Sequence, residues 1–191
     1  MRKDRDIYTG DFEAAPYWWH AAPPEPYRDP LPEHADVVVG SGYCGLSAAI
    51  ELARNGTDVV VLDAAKIGGG ASTRSGGMVS SGQKLVVGGA IKGVPLDLFE
   101  RLIEDSIASF HHIQDLIGVE KLDADLKISG RFFGAHTPRA YDTLRRMGNV
   151  LHEKTGVTVH EVPRGRQREA IGSAYYHGGI VIDEYGGLHP G

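Results

Sequence analysis

The sequence predicts an α/β fold, and three consecutive segments predict it. Asp36-Val-Val-Val39 is a short β-branched run of the kind that forms a buried strand. Gly40-Ser-Gly-Tyr-Cys-Gly45 follows, and Leu46, Ala49, Ile50 and Ala53 then recur at helical spacing up to Asn55-Gly56, a helix C-terminus. Asp58-Val-Val-Val-Leu-Asp63 is a second buried run. Strand, helix and strand in so short a span leave no room for a hairpin, so the unit is a right-handed βαβ crossover that begins a parallel, Rossmann-like sheet.

The flanking segments read in chain order. Residues 1–34 hold six of the ten prolines (Pro16, Pro23, Pro24, Pro26, Pro30 and Pro32) together with Tyr17-Trp18-Trp19. They predict an extended arm rather than a regular element, with aromatics that cover a patch of the same chain. Residues 35–93 form the dinucleotide-binding part. Its second half, residues 64–93, carries nine glycines (Gly68, Gly69, Gly70, Gly76, Gly77, Gly82, Gly88, Gly89 and Gly93) with little periodicity, the signature of a long loop that touches a ligand.

Residues 94–191 mix helices and strands. A helix opens at Asp97, shows Leu98, Leu102, Ile103, Ile107, Phe110, Ile113 and Ile117 on one face, and is expected to stop at Gly118. Leu126 to Ala135 reads as one strand. Thr137-Pro138 is an N-cap with proline in the first turn, opening a helix through Leu144, Met147 and Leu151 to Gly156. Val157 to Val162 and Gly179 to Asp183 read as further strands, and no internal repeat is present. The second half is therefore the beginning of a mixed α+β region.

The chemistry lies in the glycine turn. Gly40 permits the tight turn, Gly42 lets the backbone approach a pyrophosphate, and Gly45 lets helix and strand pack closely, with Ser41, Tyr43 and Cys44 between them. The helix N-terminus offers free N–H groups to phosphate. Asp63 stands 18 residues beyond Gly45 at the end of the second strand, where it would accept hydrogen bonds from ribose hydroxyls and disfavour a 2′-phosphate. That selects FAD or NAD over NADP. The loop Gly68-Gly-Gly-Ala-Ser-Thr-Arg-Ser-Gly-Gly77 then favours FAD: small residues with one arginine would let amides and a guanidinium close over a diphosphate or a flavin edge. The plain alternatives are a ligand-free glycine turn and a surface loop.

Composition narrows the field. Twenty Lys and Arg against 25 Asp and Glu give a net charge of −5, the wrong sign for a partner bound through phosphate neutralisation, so no nucleic-acid partner is expected. Glycine is enriched, with 26 residues, 13 of them between Gly40 and Gly93, yet without a collagen repeat. The single cysteine, Cys44, excludes an internal disulfide and points to a reducing, cytoplasmic setting. Within the helix start it reads as a small packing residue, with a reactive thiol or flavin attachment as the alternative. No apolar run is long enough to span a bilayer, and no export signal follows Met1, so no membrane partner is expected. His111-His112 lack metal-ligand spacing, so no metal is expected. Arg164, Arg166 and Arg168 read as a solvated loop, and Tyr175-Tyr176 as core packing.

The stretch Ala35 to Gly77, with its GSGYCGLSAAIELA helix and IGGGASTRSGG loop, resembles the FAD-dependent oxidoreductases of the D-amino-acid oxidase type. Within that family it is most similar to the amine-oxidising branch that includes gamma-glutamylputrescine oxidase, where a Trp/Tyr-bearing arm also precedes the first strand. The resemblance continues more weakly through Gly130-Arg131, His136-Thr-Pro-Arg139 and Gly187-Leu-His-Pro190. It implies that Gly40, Gly42, Gly45 and Asp63 hold the ADP half of FAD. It implies likewise that Ala71, Ser72, Arg74, Ser75, Gly76 and Gly77 lie against the pyrophosphate and flavin. Gly69 stands where the family often has an aromatic, and Thr73 and Ser75 replace a glycine and an asparagine.

The expectation is an FAD-dependent oxidoreductase fragment that oxidises the C–N bond of a small amine or amino acid by hydride transfer to flavin, with O2 as the second acceptor. The family carries on into a C-terminal segment that completes the sheet and covers the flavin, so this chain reads as the front of such an enzyme with that part absent. No catalytic base is nominated. A catalytically silent dinucleotide-binding fragment and an NAD-dependent dehydrogenase are the competing expectations.

Overall fold

In the computed structural model, residues 8–26, 30–82 and 93–191 are described. The expectations for the chain start and for Gly88 and Gly89 lie outside them. The chain divides into two compact units, Met1–Gly76 with Pro190–Gly191, and Gly77–His189.

The first unit contains the βαβ motif. Strand β1, Val37–Gly40, lies parallel to β2, Val59–Leu62, in the register Val37↔Val59 to Gly40↔Leu62. Helix α1, Tyr43–Arg54, packs against both strands. The strands are less buried than their composition predicts: Val38 is 58% exposed and Leu62 41%. The cause is geometric, since side chains alternate across the pleat and α1 covers one face of this two-stranded ribbon.

Within the arm, Tyr17–His20 forms a 3-10 turn, which corrects the expectation of a wholly irregular segment. Pro16 precedes the turn with φ −57°, and its carbonyl accepts the Trp19 N–H at 3.1 Å. Its pre-set φ favours the turn.

The second unit holds the hydrophobic core. Strands β3, Met78–Ser80; β4, Lys127–Ile128; and β8, Tyr185–Gly187, form an antiparallel sheet in the order β3-β8-β4. Strands β5, Arg131–Gly134; β6, Val159–Pro163; and β7, Gly178–Ile182, form another in the order β5-β7-β6. The single strand expected over Leu126 to Ala135 is therefore two, broken where Gly130 takes φ +69° and its N–H bonds the Tyr185 carbonyl at 2.9 Å. Only glycine adopts that conformation without strain.

Helix α2, Leu96–Glu120, runs past the expected stop at Gly118 and ends where Lys121 turns left-handed at φ 54°. Helix α3, Pro138–Thr155, starts and stops as its sequence signals require: the Thr137 hydroxyl accepts the Ala140 N–H at 3.1 Å, and Gly156 closes it at φ 73°. α3 packs on β6 and β7 and also meets α2. Ile103, Leu151, Val157, Ile180 and Ile182 are buried where these elements meet.

Two expectations for side chains change here. Arg164–Arg166 is a 3-10 turn leading into a helical turn, Gln167–Ala170, rather than a loop, with Arg166 forked onto Glu169 at 2.9 and 2.7 Å. Tyr176 packs against Phe132, ring centroids 5.6 Å apart, but Tyr175 is 72% exposed. The Tyr175 ring lies edge-on to that of Tyr176 at 5.3 Å and shares His136 with it, so it lies over Tyr176 on the solvent side and does not enter the core.

Candidate cofactor site

The glycine turn is built by backbone proximity. An added Cβ at Gly45 would stand 2.0 Å from the Gly40 carbonyl oxygen, so the first turn of α1 lies directly on the end of β1. Gly42 is the residue before the helix, extended at φ −82° and ψ 168°, and carries no side chain to cap it. An α-helix leaves its first N–H groups without intrahelical partners. Here the Tyr43 N–H donates to the Ser72 hydroxyl at 3.1 Å, which brings the second glycine loop to the helix start. Leu46 N–H closes the first helical bond on the Gly42 carbonyl at 2.9 Å.

Ser41 links the acid to that loop. It is only 2% exposed, its hydroxyl donates to one oxygen of the Asp63 carboxylate, and it accepts the Gly68 N–H at 2.9 Å. The other Asp63 oxygen accepts the Ala65 N–H at 3.2 Å. The Ser41 hydroxyl, and after it the Ala65 N–H, hold the Asp63 carboxyl below the usual carboxylate range. A lowered value stabilises the folded form above the ordinary carboxylate range and ceases to do so as pH falls through it, so Asp63 is ionised throughout neutral conditions. Asp63 itself is exposed and available to a ligand hydroxyl.

The second loop is ordered by its own contacts. Gly68 takes φ +67°, its carbonyl accepts the buried Thr73 hydroxyl, and Ser72–Arg74 form a 3-10 turn started by Ala71, whose carbonyl accepts the Arg74 N–H at 3.1 Å. The Arg74 guanidinium is directed at carbonyls of its own unit, Ala14 at 2.9 Å and Gly69 at 3.3 Å. Ser75 presents its carbonyl to the Trp18 indole N–H at 2.8 Å. The surroundings of Gly76 are open, and Gly77, at φ +66°, begins the second unit. Cys44 is exposed, not the packing residue expected, because on α1 it faces away from the strands. Tyr43 lies beside it and donates its hydroxyl to the Pro190 carbonyl at 2.9 Å.

One cluster in the second unit escaped the sequence reading. The Arg131 guanidinium lies 4.9 Å from the ring centres of both Phe133 and Tyr185 and donates to the Tyr185 hydroxyl, which in turn reaches the Met78 sulfur at 3.1 Å. Such cation–π packing fixes the charged head in place. Its sequence signal was the Arg131-x-Phe133 alternation on one strand face, but Tyr185 and Met78 come from strands that no local pattern revealed.

The exposed carboxylate at the end of β2, a helix start whose Gly42 carries no capping side chain and the glycines at close approach together fit the adenosine diphosphate half of FAD. A family model described as "FAD dependent oxidoreductase", of the DAO family, matches residues 37–191. The chain belongs to this family. The DAO family is FAD-dependent, and the chain is similar to a probable oxidoreductase, OrdL, of Haemophilus influenzae, 36% identical over 160 residues that span 83% of this chain and 37% of that protein. It is also similar to gamma-glutamylputrescine oxidoreductase of Escherichia coli, 29% identical over 80% of this chain and 36% of that one.

Solved structures of the same DAO fold include glycine oxidase from Geobacillus kaustophilus, with TM-score 0.63, 21% identity and coverage of 81% of this chain and 40% of that one. L-Amino acid deaminase from Proteus myxofaciens has TM-score 0.66, 17% identity and coverage of 87% and 36%. The chain thus spans well under half the length of the relatives it matches.

Proposed function

We propose that this chain is the FAD-holding front of a DAO-family oxidoreductase that oxidises the C–N bond of a small amine or amino acid. The observation that carries the reading is the Ser41 hydroxyl, buried between Asp63 and the Gly68 N–H, because it joins a ribose acceptor to a second glycine loop. A plain nucleotide turn needs no such loop. In this reading residues 1–34 are the arm, 35–93 the FAD-binding part and 94–191 the partial substrate region.

Each residue has a task. Gly40, Gly42 and Gly45 bring backbone close to the pyrophosphate, with Ser41, Tyr43 and Cys44 forming the turn between them. Asp63 accepts from the ribose. Ala71, Ser72, Arg74, Ser75, Gly76 and Gly77 shape the loop toward the flavin, Arg74 by fixing its backbone. FAD, when bound, supplies a two-electron acceptor for hydride leaving the carbon of the C–N bond. The names of the relatives, a gamma-glutamylputrescine oxidoreductase and a glycine oxidase, support an amine or amino-acid substrate. O2 as second acceptor and a cytoplasmic, reducing setting complete the proposal. Among the described residues, no helix is long and apolar enough to cross a membrane.

The test is anaerobic mixing of the FAD-loaded chain with a panel of amines and amino acids. Bleaching of the visible flavin bands by members of that panel, with peroxide released on admitting air, is the expected result. A flavin that stays oxidised with every member while NAD binds in preference to FAD would contradict it.

A further inference from the structure

The arm has contacts that a mere surface cover would not need. Pro16 is among the most completely buried side chains, and its neighbours reach the second glycine loop at several points. The Trp18 indole donates to the Ser75 carbonyl at 2.8 Å. The Trp19 ring lies 3.6 Å from where a Cβ of Gly69 would stand, and the Lys66 ammonium sits 5.5 Å from the centre of that ring. The Ala14 carbonyl takes an Arg74 N–H at 2.9 Å. From within the unit, Ser41 and Ser72 tie the same loop to the phosphate end of α1. The loop therefore lies between the helix start and the arm.

A glycine-rich loop has large conformational freedom to lose, and each external bond lowers the cost of ordering it around a ligand. Gly69 has no side chain: a Cβ there would crowd the Lys66 carbonyl at 2.9 Å, and the Trp19 ring closes over the same position at contact distance. We infer that residues Ala14–His20 position the Gly68–Ser75 loop for FAD, with Trp18 as the principal positioning residue. The inference rests on the FAD reading above. Trp18 acts through the Ser75 backbone and not by touching the adenosine end, so its loss should fall on the part of the ligand that the loop encloses.

The test uses Trp18→Phe, which keeps an aromatic ring and removes the N–H donor. Two readouts are needed. Amide hydrogen exchange in the chain without nucleotide is expected to quicken at Gly69 to Ser75 while the β1 and β2 amides keep their protection. FAD affinity is expected to fall by about 2- to 10-fold, the loss of one hydrogen bond. AMP affinity, followed through the Asp63 and Ala65 signals, is expected to stay unchanged.

Unchanged exchange in the loop would overturn the positioning role whatever the ligand result. Equal losses for FAD and AMP would also overturn it, since they would mean general destabilisation. A wild-type chain that binds neither ligand, with the exchange change still present, would instead overturn the FAD reading on which the ligand part depends.

Discussion

Gly45→Ala is expected to weaken FAD binding by about two orders of magnitude. The added methyl would stand 2.0 Å from the Gly40 carbonyl oxygen, and that neighbour is backbone, so helix and strand must separate by about 1.5 Å to restore an ordinary contact. Overpacking of this kind costs about 3 kcal/mol, and carried into binding that is roughly a 100-fold weaker Kd. In the proposed reading the helix start is also the part that meets phosphate, so displacement would act on affinity directly. Isothermal titration of the variant with FAD checks this. An affinity within twofold of wild type would show that Gly45 is there for sequence reasons other than close packing. Gly172→Ala, at a glycine outside the site with open space around it, is the natural control.

That site was legible because its parts are local. Turn, helix start and acid stand at fixed spacing, and each residue type has one physical use there. What was not legible depends on distant partners. Strand β8 is Tyr185-Gly-Gly, with no apolar alternation, and exists because Gly186 lets the Lys127 carbonyl approach: a Cβ there would be 2.4 Å away. Strand β3 has only three residues and is held by pairing Met78 with Gly187 and Ser80 with Tyr185. The arm's aromatics were visible as residues in need of cover, but Ser75 lies 57 positions from Trp18 and no periodicity connects them. The link from Ser41 to Asp63 was equally hidden, because the glycine fingerprint leaves the residue at Ser41 unspecified.

Ile180→Ala is expected to produce the largest loss of stability. Ile180 is fully buried at the centre of β7, and its side chain approaches Gly148 of α3, where an added Cβ would stand 3.4 Å from the Ile180 Cδ1. Leu151, Val157 and Ile182 pack in the same cluster. Truncation removes the apolar burial and leaves a cavity that a helix and two flanking strands resist filling, at a cost of about 2–5 kcal/mol. For a chain of this size each kcal/mol lowers Tm by roughly 2–4 °C, so a fall of about 4–20 °C in a thermal scan is expected. A shift below about 1 °C would mean that the core closes around the vacancy, contrary to interiors packed like organic crystals.

The central claim is that this chain holds FAD through the Gly40–Gly45 turn, Asp63 and the second glycine loop. Titration of the purified 191-residue chain with FAD, with flavin fluorescence as the signal and NAD as competitor, tests it most directly. Saturable binding at one site, displaced by ADP and little affected by NAD, is the expected result. Flavin whose fluorescence stays that of the free compound at every protein concentration would contradict the account.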